Sequence, residues 1–135
     1  MDADTGEVRL RRRLGVFAAG RILKMLTATS QATGAMIWRV GAALLEKAVI
    51  DARLGYFVNN DLAGDHVPAC AGIPAIEAVF LDEVDDKAHP PKIKGLGELG
   101  ISGAGAALAN AVYSACSMPV RNCPATLDKV LAGWA

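Results

Sequence analysis

The chain has 135 residues, 53% of them hydrophobic but only 5% aromatic, with Lys+Arg and Asp+Glu at 14 each. That length bounds it to at most one domain, with a core built mainly from Ala, Val, Leu and Ile. The charge balance argues against a dedicated nucleic-acid or membrane-surface binder.

No apolar run reaches the roughly 18 residues a membrane span needs, because Arg39 interrupts the best candidate. Met1 leads into an acidic turn with no signal-peptide pattern. Cys70, Cys116 and Cys123 are odd in number and lack metal-ligand spacing. They read as reduced thiols, and the default setting is cytoplasmic.

Asp4-Thr5-Gly6-Glu7 is turn chemistry, and the alternation that follows predicts a strand over residues 8–17. Val8, Leu10, Leu14 and Val16 fall on one side of it, with Arg9, Arg11 and Arg13 on the other. The turn has no earlier strand to pair with, so this polypeptide is expected to be a piece of something larger. The arginines are expected to form a solvated face or to meet that missing part, and an isolated chain is expected to expose apolar surface here.

After Ala18-Ala19-Gly20, the spacing predicts a helix over 29–48, with Ser30 as cap and Ile37, Val40, Leu44 and Lys47 along one side. Two short strands are expected at 48–50 and 56–59, around an Asp51-Ala52-Arg53-Leu54-Gly55 turn. Residues 62–74 read as irregular, 75–81 as a well-buried strand, and 82–92 as a polar loop ending in His89-Pro90-Pro91. A second helix is expected over 102–116, and a short one ends the chain through Trp134, with Thr126 as its cap. The fold class expected is α+β: short strands with two main helices and a short C-terminal helix.

The most informative segment is Lys94-Gly95-Leu96-Gly97-Glu98-Leu99-Gly100. Glycines lack a Cβ and tolerate positive φ, so Gly95 and Gly97 can bring backbone against a ligand. Glu98 is expected where loop meets helix. There it serves either as a general base or as a helix-start carboxylate satisfied by amides.

Gly95-x-Gly97-x-x-Gly100 also matches the dinucleotide fingerprint, but Pro90-Pro91-Lys92 precedes it where an apolar strand should stand, and no βαβ unit follows. His66 and His89 have no partner at metal-ligand spacing, and Ser102 and Ser114 have no nearby base.

Lys94 to Ile101, followed by Ala109-Asn110-Ala111-Val112-Tyr113, resembles the C-terminal region of the molybdenum hydroxylases. These are the large subunits of xanthine dehydrogenases and aldehyde oxidoreductases. The resemblance continues through Val120-Arg121-Asn122-Cys123-Pro124-Ala125-Thr126-Leu127-Asp128-Lys129. It reaches back through Phe57-Val58-Asn59-Asn60-Asp61-Leu62, His66-Val67-Pro68, Ser30-Gln31 with Met36-Ile37-Trp38, and Gly20-Arg21-Ile22-Leu23. Nearly the whole chain is covered, in order.

The resemblance implies that residues 1–135 form part of the second molybdopterin-binding domain of a larger subunit. It implies hydroxylation of aldehydes or N-heteroaromatics, with Glu98 as the base. Lys94, Gly95, Leu96 and Gly97 would line the cofactor, and Gln31 would touch it, with the loop from Arg21 to Thr27 alongside. No residue of this chain is expected to bind the metal directly.

The implied cofactor is molybdopterin cytosine dinucleotide in the complete enzyme, with none expected for the isolated chain. The implied partners are the remainder of the molybdenum subunit, an iron–sulfur small subunit and a flavin subunit. A partner's signal would allow a periplasmic setting. Alone, the chain is not expected to turn over substrate, and the alternative is a non-catalytic remnant or partner-binding module that keeps the fold.

Two departures from the family pattern carry expectations. Lys24-Met25-Leu26-Thr27 stands where an Asn-Pro-Lys-Thr type loop is usual, and Ala35 and Arg39 stand where small glycines are usual. Arg39 is therefore expected to place a charge on the cofactor-facing helix.

Overall fold

A computed structural model describes residues 1–134. In chain order the elements are β1 (Arg13–Phe17), α1 (Met25–Leu44), β2 (Ile50–Asp51), β3 (Tyr56–Phe57), a 3-10 turn (Cys70–Gly72), β4 (Ile76–Phe80), α2 (Ala104–Cys116) and α3 (Leu127–Trp134). The α+β class stands as expected, and so does the small antiparallel hairpin, in which Ile50 pairs with Phe57 and Asp51 with Tyr56.

The other sheet joins sequence-distant strands. β1 and β4 run parallel, from Arg13 opposite Ile76 to Phe17 opposite Phe80. Parallel neighbours need a crossover, and here it contains α1, the hairpin and the irregular stretch after it. The Phe17 and Phe80 rings meet at the end of the pair, with centroids 5.7 Å apart.

The alternation was legible, and Arg9 and Arg11 are exposed as expected, but within β1 Arg13 departs from the solvated face. Leu14 and Val16 are 51% and 54% exposed, whereas Arg13 is half-buried and donates weakly to the Met36 carbonyl at 3.4 Å. Burial lowers the Arg13 guanidinium pKa from its ordinary value. The strand is also shorter than expected, because residues 8–12 are outside any ladder. β4 is not the well-buried strand anticipated either: Ile76, Ala78 and Phe80 are half-buried, while Glu77 and Val79 face outward.

α1 begins at Met25 and ends at Leu44, four residues ahead of expectation at each end. Ser30 therefore lies inside the helix and caps nothing. The first turn closes instead on Lys24, whose carbonyl accepts from the Ala28 amide at 3.1 Å and the Thr27 hydroxyl at 3.0 Å. At the far end Leu45 and Glu46 both donate to the Gly41 carbonyl, each at 2.8 Å, which turns the chain out before Lys47.

The buried stripe of α1 is Ala28, Ala32, Ala35, Met36, Val40, Gly41 and Ala43. That helical spacing presents small side chains in the first half and larger ones later. The larger end builds the core. Val40 and Ala43 pack with Leu108 of α2, flanked by Leu10, Leu44 and Ile73.

An adjoining cluster joins Val112, Met118, Ala125 and Val130, and the Ala125 amide donates to the Ala43 carbonyl at 2.7 Å. Thr126 stands just before α3, but its hydroxyl is buried without a partner and gives no side-chain cap. The helix start is held by the Thr126 carbonyl, which accepts from Val130 at 3.0 Å, and by Lys129 reaching back to the Pro124 carbonyl at 2.9 Å.

Among the described residues, no helix is long and apolar enough to cross a membrane. Cys70, Cys116 and Cys123 are all free thiols.

Candidate functional site

The small-residue half of α1 explains where the glycine segment can lie. A Cβ added to Gly100 would fall 2.7 Å from the Ala32 carbonyl and 2.8 Å from the Ala35 Cβ. The loop therefore touches the helix backbone, an approach that only alanines on one side and a glycine on the other permit.

Immediately before Ala32 on α1, Gln31 reaches across 66 positions of sequence and donates its side-chain N–H to the Gly97 carbonyl at 2.6 Å. Two segments named as site candidates from sequence are thus joined directly.

The upstream end of the loop is held by charge. Lys94 Nζ lies 2.6 Å from Glu83 Oε1 and 3.2 Å from Asp85 Oδ2. The hydrogen bonds that Lys94 donates to Glu83 and then to Asp85 raise the lysine pKa, and the same contact with Lys94 holds Glu83 below its ordinary range. Glu83 Oε1 also accepts from the Gly20 amide at 3.2 Å.

Gly20 bridges Ile93 in antiparallel fashion, and the Arg21 amide donates to the Lys92 carbonyl at 2.9 Å. Both sides of this contact are conformationally demanding. Gly20 has φ +65°, and a Cβ there would sit 2.7 Å from the Lys92 carbonyl oxygen. Lys92 itself adopts φ 63°, a left-handed backbone uncommon for a residue with a side chain. Its ammonium pairs with Asp86 at 2.7 Å.

Between these holds lies an open groove of ≈ 380 Å³, lined by Ala19, Arg21, Ile22, Leu23, Lys24, Thr27, Ala28, Gln31, Ile93, Lys94 and Leu96. Three of the six candidate residues, Gln31, Lys94 and Leu96, line it. Gly95, Gly97 and Glu98 are exposed beside them on the same loop but are not among the lining residues.

A Cβ added to Gly95 or Gly97 would meet no atom within 4 Å, and neither residue has positive φ. The sequence argument from conformational freedom is thus corrected: these glycines leave space. Glu98 is also displaced from its expected position. α2 starts at Ala104, behind turns closed by Ile101 donating to the Glu98 carbonyl at 3.1 Å and by a left-handed Gly103. Glu98 therefore stands upstream of the helix mouth.

Arg39 does not line the groove. Its side chain lies over the start of α2, with Nε 3.5 Å from the position a Gly105 Cβ would take. Lys24 and Thr27 of the departed loop do line it.

A cavity of ≈ 540 Å³ occurs elsewhere, between residues 7–11, the end of α1 and residues 68–74. It contains no candidate residue. Among the described residues, no group of His, Cys, Asp or Glu could hold a metal.

Glu83, Asp85 and Gly20 were not singled out as site residues from sequence. The available signal was a polar loop rich in acids placed ahead of a lysine that opens a glycine run.

The family model for the molybdopterin cofactor-binding domain matches residues 1–74, just over half of the chain. The chain belongs to the molybdopterin cofactor-binding family of the molybdenum hydroxylases.

Within that family it is 58% identical over 127 residues to the aldehyde oxidoreductase molybdenum-binding subunit PaoC of Escherichia coli, covering 94% of this chain and 17% of that subunit. It is 31% identical over 127 residues to a probable hypoxanthine oxidase, XdhD, of the same species, covering 94% of this chain and 13% of that protein. The solved aldehyde oxidoreductase from Desulfovibrio desulfuricans superposes with a TM-score of 0.85 at 30% identity, over 97% of this chain and 14% of that one. The molybdopterin-family chain thus spans between about an eighth and a sixth of the length of the curated relatives it matches.

Proposed function

We propose that this chain supplies one wall of the molybdopterin site in an oxidoreductase that hydroxylates aldehydes or N-heteroaromatics, with Glu98 as its base. Residues 1–135 are then part of the second molybdopterin-binding domain. The cofactor is molybdopterin cytosine dinucleotide. The partners are the remainder of the molybdenum subunit, an iron–sulfur small subunit and a flavin subunit. PaoC, itself named as a molybdenum-binding subunit, supports the assembly reading. Alone, the chain lacks most of a pocket and does not turn over substrate.

The observation that carries this reading is the hydrogen bond from Gln31 to the Gly97 carbonyl, which closes α1 onto the glycine loop. The residues fit a large planar ligand. Gly95 and Gly97 leave the backbone uncovered, so a flat group can lie against it. Gln31 spends one N–H on Gly97 and keeps its carbonyl oxygen and second N–H for a ligand. Lys94 is neutralised by Glu83 and Asp85, so it contributes main chain and stem more than free charge.

When bound, the cofactor supplies the redox-active metal at which the substrate carbon is oxidised. What this chain adds is a carboxylate next to an uncovered backbone, placed to accept a proton from the group that attacks the substrate.

Gln31→Ala in the complete enzyme tests the reading. It removes both the hold on Gly97 and the ligand contact, and it should lower pterin and molybdenum content together. Full occupancy in that variant would remove Gln31 from the cofactor wall.

A further inference from the structure

Glu83 lies outside every residue assigned a role above, yet it is the point where three separate segments meet. Its Oε1 accepts from the Gly20 amide at 3.2 Å and from Lys94 Nζ at 2.6 Å. Asp85, two residues on, adds a second carboxylate at 3.2 Å. The strand exit after β4 thereby ties the chain leaving β1 to the start of the loop that bears Glu98.

The loop has few other holds. Gly100 is wedged against Ala32 and Ala35 at one end, and Gln31 pins the Gly97 carbonyl in the middle. Gly95 and Gly97 have no packing neighbours at their Cβ positions. With glycine backbone that free, the position of Glu98 follows from its anchors.

The anchor at Lys94 also fixes the groove's other wall, because the Gly20 amide donates to the same carboxylate and the Arg21 amide donates to the carbonyl of Lys92, two residues before Lys94. Lys92 pairs separately with Asp86, which leaves Glu83 and Asp85 as the carboxylates on Lys94.

We infer that Glu83, assisted by Asp85, is a positioning residue that sets the distance between the Gly20–Arg21 wall and the loop carrying Glu98. This rests on the reading of Glu98 as base, but its physical content, the anchoring of the loop, does not.

The test uses the complete enzyme carrying Glu83→Gln, and Glu83→Gln with Asp85→Asn, which leaves Lys94 without a carboxylate. Hydrogen exchange should accelerate by about tenfold or more at the amides of residues 95–99, and remain unchanged in α1 and α2. With molybdenum and pterin content retained, kcat should fall by about tenfold or more while KM stays near its original value, the signature of a misplaced reacting group. Glu83→Asp, which keeps the charge, should recover part of both.

Unchanged exchange and kcat in the double variant would overturn the inference. So would acceleration spread evenly over the helices, which marks general destabilisation. Glu98→Gln measured alongside separates the two claims. Turnover surviving in that variant removes the base, whereas the exchange pattern decides the anchor.

Discussion

In the assembled enzyme, Glu98→Gln is expected to lower turnover by about 10²–10⁴-fold, the range set by removing a positioned general base, while molybdenum and pterin content should stay at their original levels. The substitution keeps the shape and polarity of the side chain and removes only its ability to take a proton. Glu98 is exposed, and only its main-chain carbonyl closes a turn, with Ile101. Its loss therefore costs the fold little, so activity and cofactor loading should separate cleanly. Steady-state rates normalised to metal content provide the check. Turnover near the original rate would take Glu98 out of the mechanism.

The second large effect is expected at a residue with no reactive group. Gly100→Ala places a methyl 2.7 Å from the Ala32 carbonyl and 2.8 Å from the Ala35 Cβ. Both obstacles belong to the buried face of α1, so neither can swing aside as a long side chain could.

The loop must lift off the helix, at about 1–3 kcal/mol for an overpacked contact. Lifting it also stretches the Gln31 to Gly97 bond, already short at 2.6 Å. The expected outcome is a lower melting temperature together with loss of cofactor. Gly95→Ala, whose added methyl meets nothing within 4 Å of the protein, should leave the melting temperature unchanged. Equal stability of the two variants would contradict the wedge described at Gly100.

The contrast between these glycines marks how far the sequence could be read. The glycine run was visible at once, but its members serve different ends: Gly100 for contact, Gly95 and Gly97 for space, and Gly20, outside the run, for a left-handed backbone. Spacing alone does not separate those uses, because each depends on what lies opposite in space.

The same holds for β1. Alternation identifies which residues share a face and says nothing about which face is packed. Arg13 turned inward and Leu14 and Val16 outward because the packed face is the one toward α1 and Met36.

The start of α1 was missed because Ser30 is a strong N-cap type, while the actual start uses a lysine carbonyl and has no side-chain cap. The Glu83–Lys94 tie was hidden for a different reason. An acidic residue in a polar loop is ordinarily solvated, and only the return of the chain beside Gly20 gives it two partners.

What the sequence did carry was the naming of Gln31 and the glycine loop as parts of one candidate site, which the structure brings together. It came through resemblance to a family whose members are several times longer. The groove beside that site is open. Leu23, Met25 and Leu26, at its edge and the start of α1, are 71%, 57% and 76% exposed, an apolar rim that suits cover by the rest of a subunit.

The most direct measurement is the molybdenum and pterin content of this polypeptide purified from its native host, with everything that co-purifies identified. The account expects stoichiometric molybdenum and a cytosine-bearing pterin, held in an assembly that contains the remaining part of the molybdenum subunit. Protein free of metal and of partner would contradict it, and would leave a preserved fold around Glu98 without its chemistry.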